Sequence, residues 1–346
     1  MKLLVIGGSG FLGLHSVAQA LDRGHEVTMF NRGVTAPGLF PEAEHLTGDR
    51  DGGLAPLEGR RFDAVLDTCG YLPRVVSASA TLLADSVDRY LFVSSLSAFP
   101  DDAPPGVTEN DPAVDPASEA VEEIDYETYG PLKVACELAV ERALPGRTLI
   151  VRPGFIVGPN DPTDRFTFWI RRAAAGGTML APAPPDYALQ FVDVRDLAAF
   201  QLDLLERGET GLVHAVGPGE AVTLGSLIEE SRVTADADLD VVWADAETLR
   251  ARTAVDLFEA FPLWIGDIEG FHAFDASKAI GLGLRYRPVA ETVRDTLAWD
   301  RERPQTWPMK AGLAPDQEAR LLKKLACSSR SPPYGETPAG PKFGDH

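Results

Sequence analysis

The chain has 346 residues, 45% of them hydrophobic, and a formal net charge of −20, enough apolar material for a core in one large or two moderate domains. That charge, with nothing resembling a basic stripe, argues against nucleic acid as a partner. No apolar run reaches membrane-spanning length, and the N-terminus enters a strand at Lys2 with no signal-peptide anatomy. The three cysteines, Cys69, Cys136 and Cys327, show no metal-like pairing, so a reducing cytoplasm is expected.

Leu3-Leu4-Val5-Ile6 reads as a buried strand, Gly7-Gly8-Ser9-Gly10 as a tight turn, and Phe11 onward as a helix carrying Leu12, Val17 and Leu21. This geometry holds a dinucleotide pyrophosphate: glycines let backbone N–H groups approach the phosphates, and the helix N-terminus adds a favourable dipole. Two glycine registers overlap, Gly7/Gly10/Gly13 and Gly8/Gly10/Gly13, and spacing alone does not separate them. Gly24 is the stop signal, and 25–30 is a second strand. It ends in Asn31-Arg32-Gly33 with no carboxylate. An acidic residue there would accept from the ribose 2′-hydroxyl, whereas an arginine meets a 2′-phosphate. Arg32, with a forked contact, and Asn31, as a donor, point to NADP, with NAD as the alternative.

A third strand ends at 45–49, a fourth covers 62–67, a helix follows over 74–84, and further strands lie at 90–94 and 149–152. Such alternation predicts an α/β fold with a Rossmann-type doubly wound parallel sheet and ligands at the strands' carboxyl ends. The segment 101–127 holds ten acidic residues and no basic one. It reads as an exposed loop with at most short helical turns, either a lid or rim or a plain surface insertion. Beyond it the alternation breaks. Asp161-Pro162-Thr163-Asp164-Arg165 precedes an amphipathic helix with Phe168, Trp169 and Ile170, and runs at 212–216, 224–230 and 241–243 form a smaller α/β cap interleaved with the sheet's last elements. The chain is thus divided into a dinucleotide-binding part (1–155, its sheet completed by later segments), a mainly substrate-binding cap (156–310), and a C-terminal helix with a disordered tail (311–346).

Tyr129 and Lys133 lie four residues apart, one turn along one helix face. Pro131 between them fits if it falls in the first turn. A lysine cation beside a phenol lowers its pKa and makes it a usable proton donor or acceptor. The pair has weight because it falls between the fifth and sixth strands of a nucleotide-binding sheet. The fifth strand ends in Ser94-Ser95-Leu96-Ser97, where one hydroxyl faces the cleft; Ser94 is read as satisfying loop backbone groups. Cys136 is read as inert and buried, His214 as a packed core histidine, and Asp193 and Asp196 as caps of the following helix. No grouping has metal-ligand spacing, so no metal is expected.

The glycine turn, the serine-bearing strand end, the Tyr-x-x-x-Lys helix and Arg152-Pro153-Gly154 together resemble the short-chain dehydrogenase/reductase superfamily, in particular its extended and atypical members, grouped as NAD-dependent epimerase/dehydratase-like proteins. The likeness covers roughly residues 1–300. It implies Tyr129 as catalytic acid/base, Lys133 as the residue that tunes it and binds the nicotinamide ribose, and Ser95, with Ser97 as fallback, as the hydroxyl orienting the substrate oxygen. It further implies that Gly7, Gly10, Phe11, Leu12, Gly13 and Thr68 contact the cofactor, that Asp49 and Arg50 flank the adenine, and that backbone near Pro153 and Phe155 faces the nicotinamide. Tyr71, Arg165 and Gln190 are substrate candidates, and Asp161 is, with Arg165 and Gln190, a polar candidate on a cap segment. Phe155 stands where nucleotide-sugar enzymes usually carry an asparagine, which puts a nucleotide-sugar substrate in doubt.

The resemblance implies an enzyme, an NAD(P)-dependent oxidoreductase or epimerase acting on a secondary alcohol or ketone of a sugar-like or natural-product substrate. Net reduction and epimerisation stay open. The competing reading is a non-catalytic dinucleotide-binding sensor or scaffold. The expected partner is a small-molecule substrate, with no nucleic acid and no membrane, and a homodimer is left open.

Overall fold

The computed structural model describes residues 1–34, 38–266, 268, 270–304 and 306–328, without the side chains of 327 and 328. The tail expected to be disordered therefore lies outside the described residues, as does the Cys327 side chain.

In chain order the elements are β1 (Lys2–Ile6), α1 (Phe11–Asp22), β2 (Glu26–Asn31), β3 (Glu44–Thr47), β4 (Phe62–Asp67), α2 (Pro73–Leu83), β5 (Val87–Val93), α3 (Tyr126–Ala143) and β6 (Thr148–Pro153). There follow β7 (Phe155–Val157), α4 (Arg165–Ala174), β8 (Gly177–Pro182), β9 (Ala188–Leu189), β10 (Phe191–Asp193), α5 (Val194–Arg207), β11 (Gly211–Ala215), β12 (Val222–Thr223), α6 (Leu224–Ala235) and β13 (Leu239–Ala244). The last helices are α7 (Ala246–Arg250), α8 (Leu257–Ala260), α9 (Ser277–Gly281), α10 (Val289–Glu302) and α11 (Pro315–Ser328).

Seven strands form one parallel sheet in the order β11-β6-β5-β4-β1-β2-β3, so the order reverses between β1 and β4 and a crevice opens above their carboxyl ends. The strands read as unbroken apolar runs because both faces are covered. Leu3, Val5, Leu66, Val93 and Val151 face the layer that includes α1 and α5, while Leu4, Ile6, Val65, Phe92 and Ile150 pack against residues of α2 and α3. The run at 212–216 is thereby placed in the main sheet: β11 is its edge strand, paired with β6. The runs at 224–230 and 241–243 lie in the cap, as α6 and in β13, which pairs parallel with β8. A separate core unites α4, α6 and α10 around Phe166, Trp169, Leu227 and Val293.

The acidic segment has no helix or strand from 101 to 125, as expected, but it is not a free surface loop. Ala103 and Val107 are buried beneath it with Leu96, Phe99 and Val216. Its backbone bonds Ala98, Pro131 and Ala273, and Glu109 Oε1 accepts the backbone N–H of His214 at 2.8 Å. Arg74, at the start of α2, donates to both Glu122 and Asp51, tying the segment to the turn after β3.

Candidate active site

The site is assembled at the carboxyl edge of the sheet. Gly7 has φ +94°, and a Cβ there would lie 2.6 Å from Thr68 Oγ1, which itself donates to the Ile6 carbonyl at 3.1 Å. A Cβ at Gly13 would lie 2.3 Å from the Gly7 carbonyl oxygen. The turn and the close helix approach thus demand glycine at 7 and 13, which selects the Gly7/Gly10/Gly13 register. Gly10 caps α1 without a side chain, and no acidic residue occupies the first turn. The amides of Phe11, Leu12 and Gly13 are accordingly open to an anion.

After β2, Arg32 is exposed with no partner among the described residues, and Asn31 Oδ1 accepts the Gly33 N–H, leaving its amide N–H groups to donate. Asp49 is exposed. Arg50 departs from expectation. Its guanidinium turns inward and donates to Asp67 at 2.7 and 2.5 Å and to Ser79, with the Tyr90 hydroxyl also donating to Asp67. Two charges buried at 8% and 0% exposure require each other, so Arg50 holds β4 to α2 rather than reaching a cofactor.

Helix α3 opens on a capping box between Asp125 and Thr128. A Cβ at Gly130 would stand 1.9 Å from the Ser97 carbonyl, so only glycine lets the helix dock on the turn after β5. Sequence reading passed over this residue, although a glycine beside the tyrosine of a helix was a visible signal. Pro131 lies in the second turn rather than the first, and its carbonyl accepts the Ala117 N–H. The docking brings α3 onto the turn that carries Ser95, near enough for the Ser95 hydroxyl to favour the charged form of the Tyr129 phenol. Ser95 Oγ also accepts the Ser97 N–H and donates to Ser97 Oγ, each at 3.1 Å. Ser94 is different from expectation: its hydroxyl is buried without a hydrogen-bond partner.

The electrostatics also differ from the expected pattern. Burial raises the Tyr129 phenol above its usual value, opposed by Ser95 and by the charge of Arg165. Lys133 is anchored to backbone. Its Nζ donates to the carbonyl oxygens of Gly70 (2.8 Å) and Val93 (2.7 Å) and lies 4.5 Å from the Phe92 ring centre and 5.4 Å from that of Tyr71. Burial lowers its pKa to about 8. Tyr71 is raised to about 12, by burial first and then by the neighbouring Tyr129.

On the cap side, Arg165 stands 5.9 Å from the Phe155 ring centre and 5.5 Å from that of Phe258. Phe155 also meets Phe271 and His272. Phe258, Phe271 and His272 come from far along the chain, and no local pattern marked them. Gln190 is corrected from substrate candidate to scaffold: its amide donates to the Phe274 carbonyl and accepts the Phe274 N–H. Asp161 is occupied by the Thr163 N–H and hydroxyl. Cys136 is fully buried, its thiol raised to about 12 by burial. His214 is buried as expected, though both ring nitrogens lack partners. Asp193 caps α5, whereas Asp196 bonds Arg287 instead. Among the described residues no acidic, histidine or cysteine grouping forms a metal site, and no helix is long and apolar enough to cross a membrane.

The doubly wound parallel sheet, the glycine turn after β1 and the Tyr-x-x-x-Lys helix before β6 agree with the fold that the motif resemblance implies. The chain is 28% identical over 257 residues to dTDP-6-deoxy-L-talose 4-dehydrogenase (NAD(P)(+)) of Kitasatospora kifunensis, covering 66% of this chain and 77% of that protein. It is 27% identical to the chloroplast stem-loop binding protein of 41 kDa b of Arabidopsis thaliana, over 59% of this chain and 55% of that one. Among solved structures, the UDP-Glc/GlcNAc 4-epimerase of Campylobacter jejuni superposes with a TM-score of 0.64 at 18% identity, over 87% of this chain and 99% of that one. The Bordetella bronchiseptica enzyme WbmH, solved with NAD+, gives 0.63 at 18% identity, over 87% and 98%. No family model matches the chain.

Proposed function

We propose that the chain is an NAD(P)-dependent oxidoreductase or epimerase of the short-chain dehydrogenase type, acting on a secondary alcohol or ketone of a sugar-like or natural-product molecule. The observation that carries this reading is the seating of α3, through Gly130, against the Ser97 carbonyl, which sets Tyr129 beside the serine-bearing turn at the carboxyl end of β5 and near the switch point of the sheet. The Kitasatospora relative, a sugar-nucleotide 4-dehydrogenase by name, and the epimerase structures support it.

The residues fit a dinucleotide. The uncapped α1 start, Gly7 and Gly10 receive the pyrophosphate, Arg32 and Asn31 meet a 2′-phosphate, and Thr68 with the backbone around Pro153 and Phe155 lines the nicotinamide end. When bound, the cofactor supplies a carbon that exchanges hydride with the substrate. Tyr129 Oη moves the proton of the reacting hydroxyl, and Ser95 Oγ holds the same oxygen in line. Burial keeps the phenol protonated near neutral pH, which suits donation to a carbonyl oxygen. Lys133 joins the loop after β4 to the end of β5 and fixes the floor beneath the phenol.

A competing reading, a binding-only sensor or scaffold, leaves the phenol–hydroxyl pair without a use. The name of the Arabidopsis relative suggests RNA, but a net charge of −20 opposes a polyanion. Mass spectrometry of the ligands that co-purify with the protein gives a substrate to assay. With it, Tyr129→Phe is expected to lower kcat by about 10²–10⁴-fold while the NADPH dissociation constant stays unchanged. Undiminished turnover would refute the acid/base role.

A further inference from the structure

We propose that Arg165, seated between the rings of Phe155 and Phe258 without a carboxylate partner, receives an anionic group of the substrate, a carboxylate or a phosphate, beside Tyr129. This rests on the reading of Tyr129 as the reacting phenol. In a chain with 52 acidic residues, the half-buried Arg165 guanidinium makes no hydrogen bond or ion pair with a carboxylate among the described residues. Arg152, Arg171, Arg195, Arg287 and Arg303 each pair with a carboxylate. Of the two carboxylates nearest Arg165 in sequence, Asp164 is held by Arg303 at 2.7 Å and by the Lys310 N–H, and Asp161 accepts from Thr163 and acts on Arg165 only as a charge beyond ion-pair distance.

The backbone is shaped to aim the side chain. Asp164, immediately before Arg165, has φ +60°, a left-handed conformation that aspartate adopts more readily than most side chains. The Asp164 side chain is held there by Arg303 at 2.7 Å. Phe155 and Phe258 then present their ring faces to the cation, which orients the guanidinium plane but satisfies none of its five N–H donors. A forked donor set, flanked by apolar rings and acting electrostatically on the phenol, matches a planar carboxylate or a phosphate oxygen pair. Neutral alcohols lack the group that would complete it.

The test reads the phenol itself and needs no known substrate. The difference in tyrosinate absorbance between the protein and its Tyr129→Phe variant isolates the Tyr129 titration. Sodium phosphate and sodium acetate, added at constant ionic strength, are the probes. In the wild type each is expected to shift the Tyr129 titration upward and saturably, as the anion neutralises the neighbouring cation. The probe that saturates at lower concentration tells a phosphate-bearing from a carboxylate-bearing substrate. Arg165→Gln should move the titration upward without any anion and weaken the response roughly tenfold or more, and Arg165→Lys should keep part of it. All variants should bind NADPH as the wild type does, which shows that they fold. An anion response unchanged in Arg165→Gln, or absent in wild-type protein that binds NADPH or NADH, overturns the proposal. Failure to bind either dinucleotide overturns the oxidoreductase reading instead.

Discussion

A buried phenol loses water from around its charged form, so its pKa climbs and it resists acting as a base until a hydrogen-bond donor or a cation restores the balance. At Tyr129 the neighbouring Ser95 and the charge of Arg165 oppose the rise. The spacing of Tyr129 and Lys133 located a shared helix face. It did not show where the terminal atom of a long side chain goes, and the Lys133 ammonium is held by the Gly70 and Val93 carbonyls. Arg50 teaches the same point, since its sequence neighbour is exposed Asp49 while its guanidinium crosses to Asp67. The place of Arg32, exposed just after β2, was legible because a residue at a strand's end stays near it, and its role toward a cofactor remains a proposal. Arg32→Ala is expected to raise the dissociation constant for NADPH roughly ten- to a hundredfold, the equivalent of about 1.5–3 kcal/mol for a charged hydrogen bond, and to leave NADH within about twofold. Equal binding of the two cofactors by the wild type, measured by calorimetry, would remove the 2′-phosphate from the account.

Helix α3 and the turn after β5 meet through backbone rather than side chains, and this is where a conservative change does most harm. Alanine is favoured over glycine within a helix by about 1 kcal/mol, yet Gly130→Ala places a methyl 1.9 Å from the Ser97 carbonyl. We expect a net destabilisation of about 1–3 kcal/mol, seen as a lower urea midpoint, together with loss of the Ser95–Tyr129 contact. A midpoint raised by the substitution would show that the helix is not seated so closely. Elements such as β4 and α1 were legible because their apolar periodicity survives in any tertiary setting. The acidic segment was not, because its order comes from isolated contacts with distant chain: Glu109 with the His214 amide, Arg74 with Glu122, Val107 beneath Phe99. Periodicity carries no trace of such contacts.

Taken whole, the molecule is strongly acidic and closes its acidic segment over a buried histidine. His214 is faced by Glu109 and Asp275, which raise its pKa, and by Arg152 and Lys278, which lower it, but burial dominates and brings it to about 4. The folded pKa is thus depressed below the ordinary value of about 6.5. Stability is fully present above pH 6.5 and drains away as pH falls toward 4, because the unfolded chain takes up a proton that the folded one refuses. Urea midpoints followed from about pH 7 to about pH 4 should decline more steeply for the wild type than for His214→Phe, and parallel declines would deny His214 that part. The same edge of the sheet sets an order on synthesis. Strand β11 leaves the ribosome only after most of the cap's first half, so every nascent chain passes through a stage in which the edge of β6, with buried Leu149, Ile150 and Val151, has no neighbour to pair with. An open apolar edge recruits other chains. A fragment stopped at residue 155 would keep that edge for good, and it is expected to self-associate where the full chain does not, a difference that light scattering would read.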